Sequence, residues 1–245
     1  AYDSSKVFSG SIACEAWTCT AVAIETLETA FHATDALIRE RSRELGSAID
    51  MEGQNFLSEG TIDQRQQREL KSHLCELARF TLAAYEQRLS YLQLEEAHAQ
   101  ERQVLIGRFR NIRPQVIHPL QRIGNSDQAF SLAERHRAFR TLAELCTDER
   151  AGSELSITQH YLDRYGKEFA FELFSHYIEH GQYRKLLEQD QKYVALVTEY
   201  LSVHPEYDKI AWLHEIGQGE FKDASGTLAH VSVAETTLSS KKLEL

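Results

Sequence analysis

The chain is 245 residues long, 42% hydrophobic and 26% charged, with a formal net charge of −10. This composition is ordinary for a folded protein of one large domain or two small ones, and disorder is not the default reading. The acid excess argues against a general nucleic-acid binder, which needs surplus Lys and Arg to neutralise phosphates, and no apolar run approaches the roughly 18 residues of a membrane-spanning helix.

Helix breakers are few. The prolines are Pro114, Pro119 and Pro205, and the 12 glycines fall mostly between periodic segments, so the composition predicts an all-α protein. Residues 11–45 hold neither Pro nor Gly, and Trp17, Ile24, Phe31 and Ile38 recur every seven residues with Leu27 and Thr34 between them. One long helix with a single apolar seam is predicted there. Residues 46–60 carry three glycines and read as a loop, and Thr61, placed before Gln64, fits a capping box that opens the next helix. That helix is also long, with Leu70, Leu74, Leu77, Tyr85, Leu89 and Leu92 marking its buried face and the pattern running on towards Ala99. A basic segment, ERQVLIGRFRNIRP, follows it. The first hundred or so residues read as an extended antiparallel pair of helices well above the usual length of about 12 residues.

Beyond Pro114 the predicted helices shorten. Residues 114–123 form one, closed by Gly124 and Asn125, and residues 127–137 and 138–147 follow, packed through Phe130, Leu132, Ala133, Phe139, Leu142 and Leu145. Ser153 caps a helix that runs to Tyr165, with Gly166 as its left-handed C-terminal residue. Phe169, Leu173, Phe174, Tyr177 and Ile178 form the next stripe, up to Gly181. Residues 183–187, 190–202 and 210–216 continue the series, and Pro205 marks a break. In the last hairpin, residues 210–228, Trp212, Leu213 and Ile216 share a face, Gly217 and Gly219 interrupt it, and Phe221, Ala224 and Leu228 resume it. A hairpin of this kind cannot bury its apolar faces alone and must stack on neighbours. The predicted fold is therefore an all-α, irregular α-helical solenoid of stacked hairpins preceded by a pair of long antiparallel helices. Residues 1–105 form the long-helix part and residues 106–245 the hairpin stack, together one continuous rod, with a compact helical bundle as the competing architecture.

Chemistry is sparse. His176, Tyr177, Ile178, Glu179 and His180 match the H-x-x-E-H order of one class of zinc peptidases, in which two histidines on one helix face bind zinc and the Glu polarises a water. Gly181 follows at once, so His180 falls on the last helical turn, and the apolar residues around it already account for the stripe. The second candidate is the run of Arg102, Arg108, Arg110, Arg113 and Arg122 around Phe109, a local basic patch able to touch RNA or an acidic protein. Its competitor is pairing with the acidic helices alongside. Trp17 and Trp212 lie on apolar faces and read as core. Cys14, Cys19, Cys75 and Cys146 form no CxxC pair and read as reduced, buried thiols of a cytosolic or nuclear protein. With no phosphate loop, no nucleophile elbow and no Cys–His pair, no enzyme, cofactor or metal site is expected. The start at Ala1 and the stop at KKLEL, inside an expected helix, suggest a piece of a longer protein.

Residues 169–187 (FAFELFSHYIEHGQYRKLL), 210–245 (opening IAWLHEIGQGEFKD) and 109–146 (FRNIRPQVIHPLQRIG and onward) resemble the nucleoporin 133 family, the stalk-tip member of the Y-shaped scaffold complex of the nuclear pore. The resemblance covers roughly residues 105–245. It implies a structural piece of the pore's outer ring at the nuclear envelope, serving nucleocytoplasmic transport, mRNA export and pore assembly through other scaffold nucleoporins. The chief partner it implies is nucleoporin 107 or its fungal counterpart, contacted beyond Leu245, with no membrane or nucleic-acid contact from this part. Leu238, Leu243 and Leu245 are the candidate partner-binding residues, as the last apolar stripe of an interrupted stack.

Overall fold

A computed structural model describes residues 20–51, 59–93, 98–148 and 154–234. Eleven α-helices lie among them, with no strand. Backbone contacts divide the chain into two compact units, one up to Thr141 and one from Leu142.

Three long helices build the first unit: α1 (Ala21–Met51), α2 (Glu59–Leu92) and α3 (Ala99–Arg122). The seam of α1 is the heptad read from the sequence, since Ile24, Phe31 and Ile38 are each no more than 3% exposed; Trp17 lies outside the described residues. Leu74, Leu82, Tyr85 and Leu92 of α2 are buried against it. The two helices run antiparallel, because Arg41 Nη1 donates to Gln66 Oε1 at 2.8 Å near one end and the Tyr85 hydroxyl donates to Glu28 near the other. Helix α1 continues through Gly46, and α2 begins at Glu59, so Thr61 lies inside α2 rather than capping it.

A larger departure from the sequence reading is α3. The periodicity around Pro114 reads as a break, yet one helix runs through both Pro114 and Pro119. A proline inside a helix removes a backbone hydrogen bond and costs about 3 kcal/mol. Here Leu105, Ile112, Val116, Ile117 and Leu120 are buried along one stripe of α3, and burying side chains of that size contributes about 1.5–3 kcal/mol each, enough to hold the helix together. A third long helix thus joins the antiparallel pair α1 and α2 in this unit. Arg108 reaches Glu28 at 3.3 Å and Arg122 reaches Asp35, so α3 runs parallel to α1. Helix α4 (Ser126–Arg135) packs back on α3 after the turn at Gly124, where φ is +85°.

Helix α5 (Phe139–Thr147) contains the division between the units. In the second unit α6 (Glu154–Tyr165) packs on α7 (Lys167–Glu179), α7 on α8 (Tyr183–Leu187) and α9 (Val194–Val203), α9 on α10 (Asp208–Gln218), and α10 on α11 (Phe221–Ala234). Contact between sequence neighbours is the pattern of an irregular α-solenoid. Gly166 has φ 54° and ψ −128°, a joint between α6 and α7 outside the left-handed helical region expected for it. Tyr200, 1% exposed, is the central packing residue, with ring centroids 5.2 Å from Phe171 and 5.6 Å from Phe174. Its hydroxyl meets that of Ser175 at 2.9 Å, and burial pushes its pKa up to about 12.

Phe31 is fully buried at the α1–α2 contact. Phe31→Ala should cost about 3–5 kcal/mol through the cavity it leaves, read as a lowered midpoint in urea unfolding followed by circular dichroism. Gly219 ends α10 with φ 80° and open space where a Cβ would lie, so Gly219→Ala should cost about 1–2 kcal/mol by backbone strain alone in the same measurement.

Candidate interaction surface

The H-x-x-E-H pair does not converge on a point. His176 and His180 stack with ring centroids 4.0 Å apart and planes tilted by 32°. His180 is the exposed C-cap of α7, and its Nδ1 lies 2.9 Å from the His176 carbonyl oxygen, so Nδ1 carries the proton and donates. His176 is 6% exposed, and its Nε2 lies 2.8 Å from Thr147 Oγ1. That hydroxyl already donates to the Ala143 carbonyl at 3.0 Å, which leaves His176 Nε2 as the donor. Each ring therefore keeps one lone pair, at His180 Nε2 and at the buried His176 Nδ1. Among the described residues no group of three or more His, Cys, Asp or Glu stands close enough together to hold a metal ion. His176 serves as a tie between α5 and α7.

The same tie recurs one step along. His214 of α10, 5% exposed, has Nε2 2.9 Å from Thr198 Oγ1 of α9, and Thr198 in turn donates to the Val194 carbonyl at 3.1 Å. Burial lowers the pKa of His214 below its ordinary 6.5, opposed by the charges of Glu220 and Glu215. Neither tie was legible in the sequence, where histidine and threonine stand far apart and carry no spacing signal.

Most of the arginine segment is engaged within the first unit. Arg108 pairs with Glu28 at 3.3 Å and Glu25 at 3.6 Å. Arg122 and Arg39 both bind the Asp35 carboxylate, whose side chain is 4% exposed. The Arg113 guanidinium donates to the backbone carbonyls of His136 at 3.0 Å and Arg137 at 3.2 Å and covers the Phe109 ring at 5.1 Å. Phe109 itself stacks on Tyr85, whose hydroxyl is held protonated by burial and by the neighbouring Glu28 carboxylate. Three of the five arginines are thus turned inward onto acids, carbonyls and a ring. Asp35 was missed by sequence reading, although its place four residues after Phe31 and four before Arg39 puts it at the edge of the buried seam.

A shallow cleft beside the α4 N-terminus is lined by Arg68, Lys71, Cys75, Glu76, Asn125 and Gln128. The Asn125 amide donates to Cys75 Sγ at 3.1 Å, and burial pushes the thiol pKa up, so Cys75 is an inert thiol and not a nucleophile.

What remains exposed and unusual is apolar. In the last hairpin Ile210, Ala211 and His214 are the buried residues of α10, while Leu213 and Ile216 are 42% and 43% exposed. Among the described side chains of α11 only Ala224 is buried, and Phe221, Leu228 and Val233 are 67%, 46% and 82% exposed. The sequence reading of Leu213 and Ile216 as a packed face is corrected here, because the stripe that meets α9 is the neighbouring one. Trp212 is half-buried. Leu238, Leu243 and Leu245 lie outside the described residues.

Helices that pack on their sequence neighbours and are tied by histidine and arginine side chains define an α-helical scaffold fold. The chain belongs to the family of non-repetitive/WGA-negative nucleoporins, whose C-terminal model matches residues 13–245. It is 27% identical over 175 residues to nucleoporin nup132 of Schizosaccharomyces pombe, covering 71% of this chain and 15% of that protein. It is 31% identical over 182 residues to nuclear pore complex protein Nup133 of Danio rerio, covering 72% and 15%. To the protein of the same name from Mus musculus it is 32% identical over 155 residues, covering 62% and 13%. The chain therefore spans about 15% of the length of the first two relatives.

The His214 tie has a pH signature. Its folded-state pKa is depressed, so its contribution to stability is fully present above the unfolded-state value near 6.5 and is lost as pH falls through the lower folded-state value. Amide exchange in α9 and α10 should accelerate between about pH 7.5 and about pH 5.5 after correction for the intrinsic rate. His214→Gln, which keeps a donor for Thr198, should flatten that dependence.

Proposed function

We propose that this chain is a load-bearing helical segment of a scaffold nucleoporin in the outer ring of the nuclear pore complex, at the nuclear envelope. The observation that supports this most is the family match, which runs through nearly the whole chain, residues 13–245, and coincides with helices joined neighbour to neighbour. The relatives carry the names nucleoporin and nuclear pore complex protein, and roles in transport, mRNA export and pore assembly are proposed for the protein to which this chain belongs. The segment works by geometry and without catalysis: its hairpins hold partners at fixed separation, and small shifts between packed helices absorb load.

The partner proposed is another scaffold nucleoporin of the Y-shaped complex, nucleoporin 107 or its smaller fungal counterpart, bound by the region that follows Leu245. A version of the chain extended past Leu245 by the next helical block should retain purified nucleoporin 107 from the same organism on a column, and the 245-residue chain should retain little. Equal failure of both, with circular dichroism showing each folded, would remove this partner. In cells, the full protein tagged with a fluorophore should mark the nuclear rim, and diffuse staining would count against the whole assignment.

A further inference from the structure

No Gly or Pro stands between Ser126 and Thr147, and the run Ala133, Glu134, Arg135, His136, Arg137, Ala138 at its middle consists of helix-compatible residues. Propensity alone would carry one helix through this stretch. The chain breaks instead. Helix α4 ends at Arg135, α5 begins at Phe139, and Arg137 between them takes φ 48°, the one positive value at a non-glycine among the described residues. A left-handed backbone costs a residue with a side chain about a factor of ten in population. The Arg137 N–H donates to the Glu134 carbonyl at 3.1 Å and the Ala138 N–H to that of Ala133 at 2.8 Å, the bonds of a Schellman turn. Glycine is the usual occupant of its left-handed position, and here it is arginine.

What holds the break comes from α2 and α3, within the first unit. In an unbroken helix the carbonyls of His136 and Arg137 would accept from the amides of Arg140 and Thr141. Here Arg113 Nη1 of α3 donates to both, at 3.0 and 3.2 Å, and its charge suits the negative end of the α4 dipole. The guanidinium is seated on the Phe109 ring at 5.1 Å, and Phe109 stacks on Tyr85 of α2 at 5.3 Å, so the place of Arg113 is set by those helices and not by the turn. His136, whose side chain is 1% exposed, is anchored to α2 as well, its Nδ1 lying 2.6 Å from Glu86 Oε1. We propose that this corner is a two-state joint: Arg113 holds it bent against a local preference for one helix, and withdrawal of Arg113 lets residues 136–138 rejoin α4 and α5. Local sequence and tertiary contact disagree at these three residues, and a disagreement of that kind stores strain. The bent state gives up two backbone bonds and bears the left-handed Arg137, and it gains two charge-assisted bonds and the His136–Glu86 contact. The joined state reverses each of these.

Amide exchange and urea unfolding of the 245-residue chain test this. The amides of Arg140 and Thr141 open α5, where a helix has no carbonyl of its own to offer them. In Arg113→Met, which keeps an apolar stem on Phe109 and removes the donors, these two amides should exchange about tenfold more slowly than in the parent as they take up the carbonyls of His136 and Arg137. The amides of α1 should keep their rates. Adding Arg137→Gly, which frees the left-handed turn of strain, should restore the parent rates at Arg140 and Thr141, because the bent state then stands without Arg113. Arg137→Gly alone should raise the urea midpoint. Faster or unchanged exchange at Arg140 and Thr141 in Arg113→Met overturns the proposal and leaves Arg113 an ordinary tie. A lowered midpoint in Arg137→Gly overturns it too, since the turn would then hold no strain to release.

Discussion

A helix with one apolar stripe is stable in water only if something lies against that stripe, and this requirement organises each unit of the chain. In the first unit the stripe of α1, carried by Ile24, Phe31 and Ile38, is closed by α2, and α3 packs on α2 and reaches α1 through Arg108 and Arg122. In the second unit no helix has a large partner, so each relies on the next in sequence, and the joints are set by single residues. Tyr200 fills the space between α7 and α9, and the Thr147–His176 and Thr198–His214 hydrogen bonds fix α5 to α7 and α9 to α10. On the α10–α11 hairpin Leu213, Ile216, Phe221 and Leu228 are exposed among the described residues.

Charge is used in the same economical way. A formal charge of −10 would leave many carboxylates repelling one another, and the arginines of α3 are placed where the acids of α1 need them. Asp35 is the clearest case, a buried carboxylate that accepts from Arg39 on its own helix and Arg122 on another. An isolated ion so deeply covered would be costly, and two guanidiniums with good geometry offset that cost. The basic look of the arginine segment in the sequence is thus in part, at Arg108 and Arg122, the internal half of pairs whose acidic half lies many residues away. A linear reading sees each half alone.

The fold class was legible because helical periodicity and the scarcity of Pro and Gly survive any packing. The seam of α1 was legible residue by residue for the same reason. Pro114 misled because a local rule was overridden by a buried stripe that only the neighbouring helices reveal. Leu213 and Ile216 misled for the opposite reason: an apolar stripe has the same period whether or not a neighbour covers it, so the pattern cannot tell a filled face from a waiting one. The histidine pair of α7 matched a motif by order, but its rings stack on each other and no third ligand group stands with them among the described residues, and neither fact can be read from spacing along one helix.

The two prolines of α3 carry a mechanical meaning. With no N–H at Pro114 and Pro119, the carbonyls of Arg110 and Gln115 lose their partners within the helix, and both of those residues are exposed, so water can take the place of the missing donors. Two rungs of the ladder are therefore already open before any force is applied, and stretching that side breaks nothing. Helices α1 and α2 contain no proline and would have to rupture intact bonds to curve as far. Bending in the first unit is therefore concentrated at Pro114 and Pro119 of α3, where α1 and α2 resist it.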